Sequence, residues 1–157
     1  MKKIEFIARG VCVKNGMVLL CQNKTKKHAY LPGGHIERRE RAEDALLREI
    51  REELGLEARV RRFLGCSEFC FQPKKRIVSE INLVFEIDLP RLRTQKNPVA
   101  KEKHLRFFWH PMATLDASNL QPQALRGLLP EWRQYPGFSS SGTAWKTCGD
   151  RVAGSGL

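Results

Sequence analysis

Ile7-Ala8-Arg9-Gly10-Val11-Cys12-Val13 is a run dominated by apolar and β-branched residues, and Met17-Val18-Leu19-Leu20-Cys21 is a second. Asn15-Gly16 between them is a tight-turn signal, so the pair predicts a β-hairpin. A polar, lysine-rich loop follows from Asn23 to His28 and closes on the breaker cluster Tyr30-Leu31-Pro32-Gly33-Gly34. From Arg41 to Leu54 apolar positions recur at helical spacing, and Gly55 is placed to stop the helix. Val60 to Phe71 and Ile77 to Ile87 read as strands; in the second, Ile77, Ser79, Ile81, Leu83, Phe85 and Ile87 form one alternating face. Pro73-Lys74-Lys75-Arg76 turns between them. Leu105 to Trp109 predicts a further short strand ended by Pro111, and Leu120 to Trp132 a second helix weakened by Gly127 and Pro130. Strands, helix, strands, helix in that order predict an α/β fold, a mixed sheet with helices packed against it.

Composition limits this picture more than it extends it. A chain of 157 residues that is 41% hydrophobic and 29% charged suits one compact domain and excludes a wholly disordered polymer. Residues 137–157 hold five glycines and four serines, which predicts a flexible tail and leaves residues 1–136 as the folded domain. Glu5 and Arg9 interrupt the cationic start before it could act as a signal peptide, and no stretch approaches the roughly 20 apolar residues of a membrane span. Five cysteines without a Cys-x-x-Cys pair suggest neither a disulfide framework nor a zinc knuckle, so a cytoplasmic setting is expected.

Charge is unevenly placed. The net +11 conceals a stretch from Leu31 to Glu57 with five basic and eight acidic residues, a local −3 that leaves +14 elsewhere. An acidic island could hold a divalent cation while its basic surroundings attract a polyanion; a solvated charged helix on a basic protein satisfies the same counts. At about 100° per residue, Leu46, Ile50, Leu54 and Leu47 make one apolar sector, and Glu53, Glu49 and Glu52 follow on its flank at about −20°, −60° and −120° from Leu46. Crowded carboxylates resist joint ionisation unless a cation compensates, and oxygen-only donors favour Mg²⁺ or Mn²⁺ over Zn²⁺. Surface pairs between Arg48 and Glu52, or Asp44 and Arg48, would account for the helix alone. Pro32-Gly33-Gly34 just upstream allows a turn whose backbone can approach an ion or phosphate closely.

The block from Gly34 to Leu56 resembles the Nudix box: a glycine, five residues, Glu, seven residues, Arg-Glu, an aliphatic residue, any residue, Glu-Glu, any residue, a glycine and an aliphatic residue. Gly34, Glu40, Arg48, Glu49, Ile50, Glu52, Glu53, Gly55 and Leu56 occupy every fixed position, while Arg39 stands where many members carry glycine. The resemblance implies a Nudix-type α/β/α sandwich with a mixed central β-sheet. It further implies hydrolysis of a nucleoside diphosphate linked to another moiety, with Mg²⁺ or Mn²⁺. It assigns metal ligation to Glu49, Glu52, Glu53 and the Gly33 carbonyl, orientation of the glutamates to Arg48, and support to Gly34 and Glu40. Water attack on a P–O–P linkage needs a carboxylate base, with Glu49 the first choice and Glu53 the second.

Outside the box the substrate is less defined. Lys24, Lys26, Lys27 and His28 could engage phosphates, and Tyr30, Phe69, Phe71 or Trp109 could stack on a base. Glu102 could supply a further carboxylate or sit in a solvated loop; Glu80 and His35 could face the cleft or simply point outward. A nucleoside triphosphate or an ADP-ribose-like compound is the expected substrate, RNA ends remain open, and a homodimer is compatible. A non-catalytic Nudix-fold module that binds nucleotide or RNA is the alternative.

Overall fold

The computed structural model describes residues 3–72, 77–134 and 145–146. The expected turn at 73–76, and the expected tail apart from Trp145 and Lys146, lie outside the described residues. Among the described residues, eight strands and two helices run β1 (Lys3–Val11), β2 (Val13–Lys14), β3 (Met17–Asn23), β4 (Gly33–His35), α1 (Ala42–Leu54), β5 (Arg59–Phe71), β6 (Val78–Asp88), β7 (Leu105–Pro111), α2 (Leu125–Gln134) and β8 (Trp145–Lys146). A short 3₁₀ segment, Met112–Ala117, follows β7.

The hairpin forms as its turn chemistry dictates. Val13 pairs with Val18 and Lys14 with Met17, and Asn15 and Gly16 both take positive φ, 50° and 72°, as a primed turn requires. The first apolar run, however, is two strands. It breaks at Cys12, and β1 belongs to a five-stranded sheet ordered β4-β1-β6-β5-β8 while β2 belongs to a three-stranded sheet ordered β2-β3-β7. In the larger sheet β1 runs parallel to β6 and antiparallel to β4, and β5 runs antiparallel to β6, so the sheet is mixed as expected.

Two apolar layers sandwich these strands. On one side Ala45, Leu46, Ile50 and Leu54 of α1 pack with Ala8, Cys12, Leu19, Cys21, Phe85, Ile87, Phe107 and Trp109. On the other, Leu125, Leu128, Leu129 and Trp132 of α2 pack with Val11, Val18, Leu20, Leu64 and Val84. Strand period two divides neighbouring residues between the layers: Leu19 serves the α1 side and Leu20 the α2 side. The result is the α/β/α sandwich that the resemblance implies. No helix among the described residues is long and apolar enough to cross a membrane.

Two local expectations are corrected. The second helix begins at Leu125 and not at Leu120, because Leu120 forms a β-bridge with Ala29, and Leu125 and Arg126 donate to Pro122 and Gln123 in tight lead-in turns. Leu47, at the edge of the apolar sector, is only half-buried. β7 ends at Pro111 as expected, that residue being its last and pairing with Met17.

Candidate functional site

The helix α1 carries its acids on a gradient that follows their angle from the apolar face. Glu53, nearest that face, is buried at 8% exposure; the Glu49 side chain is 19% exposed, and Glu52, furthest round, is 52% exposed. Gly55 ends the helix in the left-handed conformation at φ 67°, its N–H donating to Arg51 O.

Arg48 organises the partly buried acids. Its Nε and Nη2 donate to the two carboxylate oxygens of Glu40 at 2.8 and 3.0 Å, a bidentate pair. Its Nη1 donates to Glu49 Oε1 at 2.9 Å and to Glu52 Oε2 at 3.3 Å, and Nη2 also reaches the His35 carbonyl at 3.0 Å. Arg48, with the Glu37 N–H, holds the Glu40 carboxyl down to about 2, while Glu40 in turn raises the Arg48 pKa further. The loop between β4 and α1 is bent so that Glu40 can do this, and Arg39 lies at φ 63°, a left-handed conformation that suits glycine better than arginine.

Glu53 is held differently. The Gly33 N–H donates to Glu53 Oε2 at 3.3 Å. Burial pushes its carboxyl up to about 7 despite that bond and the nearby Arg9 cation, with Glu49 and Glu102 adding to the rise. Gly33 itself sits at φ 123°, where a Cβ would fall 2.2 Å from the Ala8 carbonyl oxygen. Gly34 has a different reason to lack a side chain, since a Cβ there would fall 2.4 Å from the Glu49 carboxyl carbon. The glycine pair thus lets β4 lie directly against two of the acids.

Among the described residues no three acidic, histidine or cysteine side chains converge closely enough to enclose an ion. The donor set nevertheless fits a hard divalent cation. It is all oxygen, Glu49 lies in the space left by the missing Gly34 side chain, and Glu53 is a desolvated carboxylate that would gain from a nearby positive charge.

Glu102, another sequence-derived candidate, lies near enough to Glu53 to add to the rise in its pKa. Lys101 N–H donates to Glu53 O at 2.7 Å, which brings the loop to the end of α1, and Glu102 pairs with His104 at 3.3 Å. Lys24 is exposed, with its Nζ on the Lys103 carbonyl at 2.6 Å, and Lys27 is exposed on the same β3–β4 loop. Tyr30 is half-buried with its ring beneath the Arg9 guanidinium, 5.6 Å from the centroid. His35 turns to Glu5 at 3.1 Å, and Glu80 is half-buried beside Arg9. Trp109 is core, its indole N–H donating to Arg93 O, whereas Phe69 and Phe71 stack at 5.5 Å with partial exposure.

Arg9 is the residue that motif reading missed. It donates to Gly33 O at 2.8 Å, Leu31 O at 3.1 Å and Asn82 Oδ1 at 3.3 Å. Burial lowers its pKa, and Glu80 and Glu53 oppose the drop. The available signal was a lone charge between the apolar positions Ala8 and Val11 of a strand, since charges are rarely placed there without partners.

This sandwich, with an acid-bearing helix behind a Gly-Gly strand, is matched by known proteins. The sequence model of the NUDIX domain matches residues 5–132, and the chain belongs to the Nudix family. Over 60 residues it is 38% identical to a Proteus vulgaris protein named 8-oxo-dGTP diphosphatase, covering 36% of this chain and 54% of that one. The chain therefore matches little more than half the length of this curated relative. Among solved structures it resembles a MutT protein from Methanosarcina mazei Go1 (TM-score 0.62, 18% identity, 85% of this chain and 95% of that one). It also resembles a UDP-X diphosphatase (TM-score 0.57, 26% identity, 83% of this chain and 63% of that one).

Proposed function

We propose that this protein is a Mg²⁺- or Mn²⁺-dependent pyrophosphohydrolase. Its substrate is a nucleoside diphosphate linked to another moiety, either a nucleoside triphosphate or an ADP-ribose-like compound. The observation that carries this reading is the arrangement of α1 against β4: Arg48 ties Glu40, Glu49 and Glu52 into one hub, and Glu53 is buried against Gly33. The names of the relatives support a nucleotide diphosphatase, and oxidised guanine triphosphates and nucleotide sugars belong among the compounds to try.

Glu49, Glu52, Glu53 and the Gly33 carbonyl would hold the ion, with Glu102 near enough to influence Glu53. A bound divalent cation supplies charge neutralisation for the phosphate oxygens and makes water easier to deprotonate. Glu49 accepts the proton from the attacking water, with Glu53 as the second choice; both carboxylates are held, by Arg48 and by the Gly33 N–H respectively. Arg48 holds Glu49 and Glu52 together before the ion arrives, which would reduce the reorganisation that binding requires. Lys24 and Lys27 lie on an exposed loop suited to phosphate oxygens, and Tyr30 to the nucleoside.

The direct experiment is product release from nucleoside triphosphates including 8-oxo-dGTP, ADP-ribose, nucleotide sugars, dinucleoside polyphosphates and capped RNA. Each is assayed with Mg²⁺, with Mn²⁺ and with chelator. Metal-dependent release of a mononucleotide from at least one of them is expected; no turnover across the panel would overturn the proposal.

A further inference from the structure

We propose that Arg9 is a positioning residue, which fixes Gly33 and through it the Glu53 carboxylate; the inference rests on the metal-dependent reading above. The strand register puts Arg9 opposite Gly33 in the antiparallel β1–β4 pair, with β6 on the other side of β1. From there one guanidinium binds three separate elements. Its Nη1 spans the carbonyls of Leu31 and Gly33, its Nε takes Asn82 Oδ1 on β6, and its plane lies over the Tyr30 ring.

Each contact constrains the next. Arginine only donates, so the Asn82 amide must present its oxygen to Arg9. The two carbonyls flank Pro32, whose own carbonyl accepts from the Gly10 N–H at 2.9 Å, so the Leu31-Pro32-Gly33 turn is gripped by consecutive residues of β1. Gly33 is then restrained on both sides, its carbonyl by Arg9 and its N–H by Glu53. A loosened Arg9 would free the Gly33 backbone to rotate, and glycine at φ 123° has few steric limits of its own. Glu53 would lose its hydrogen-bond donor while remaining buried. Lysine keeps the charge, but one ammonium on a flexible stem cannot span two carbonyls, an amide oxygen and a ring face together.

The test is Arg9→Lys, with Asn82→Ala as a milder companion that keeps the guanidinium and both carbonyl contacts. In the metal-free protein, amide exchange at Gly33 should accelerate at least tenfold in Arg9→Lys, with Leu128 and Leu129 in α2 unchanged. Calorimetry with Mn²⁺ alone should show binding weakened by about 10-fold to 100-fold, the range seen when a group orienting a metal ligand is lost. On the best panel substrate, kcat should fall at least tenfold with KM within twofold. Asn82→Ala should show the same pattern at smaller amplitude. Wild-type Gly33 exchange and Mn²⁺ affinity in Arg9→Lys would overturn the proposal, as would wild-type values in Asn82→Ala if the lysine variant does not fold. A wild-type protein that takes up no Mn²⁺ would instead defeat the metal-dependent reading, and the exchange comparison would still decide the role of Arg9.

Discussion

α1 and α2 cover opposite faces of the same strands, yet they bury different things. The buried side of α2 is Leu125, Leu128, Leu129 and Trp132, all apolar. The buried side of α1 is Ala45, Leu46, Ile50 and Leu54 with a carboxylate, Glu53, set among them. A buried acid held by a single backbone N–H costs stability that an apolar side chain would not, so a helix selected for stability alone would carry another leucine there. On the function proposed above, α1 is the face where stability is given up for chemistry. The neighbouring acids show the same division, since Arg48 compensates Glu40, Glu49 and Glu52 but does not reach Glu53.

This contrast can be broken by substitution on each side. Leu129→Ala on the α2 face should destabilise the protein most, by about 2–5 kcal/mol, as a cavity opens at a fully buried position. Urea unfolding measures the loss, and activity per folded molecule should hold. Glu53→Gln should do the reverse. Hydrolysis of the best substrate should fall on the order of 100-fold or more, about 2.7 kcal/mol in barrier, while the metal-free protein keeps or slightly raises its melting temperature because a buried charge is gone. Loss of folding in Glu53→Gln, or of catalysis alone in Leu129→Ala, would erase the distinction between the helices.

A smaller effect is expected from pH. Glu40 is held at about 2 against an ordinary 4.5, so its ion pair with Arg48 contributes fully above about pH 4.5 and is lost as pH falls toward 2. Wild type should therefore lose stability across that window faster than Glu40→Gln, and parallel acid-melting curves for the two would refute the pairing. The smallest change is predicted for Arg39→Gly. Left-handed φ costs a non-glycine residue about 1–2 kcal/mol, offset in part by the greater chain entropy of glycine, so a gain of about 0.5–1 kcal/mol in thermal unfolding is expected.

The sequence makes the locally determined parts legible. Asn15-Gly16 carries its turn geometry in two residues, and the angular order of Glu53, Glu49 and Glu52 follows from helical pitch, so hairpin and acid gradient are both readable. Features that depend on distant partners are not. The break at Cys12 exists because β1 and β2 join different sheets, which no local pattern encodes. Leu120 carries a helix-like apolar spacing, but its bridge to Ala29 overrides it. Arg9 acquires its contacts only when β4 and β6 flank β1, with Asn82 arriving 73 positions downstream.

Leu19 and Leu20 are joined by one peptide bond, yet each is fully enclosed in a different half of the interior. A crack that opens beneath either helix must therefore tug on the backbone that braces the other. Among the described residues the two halves share this backbone, so the acids of α1 are braced in part by packing on the far side of the sheet.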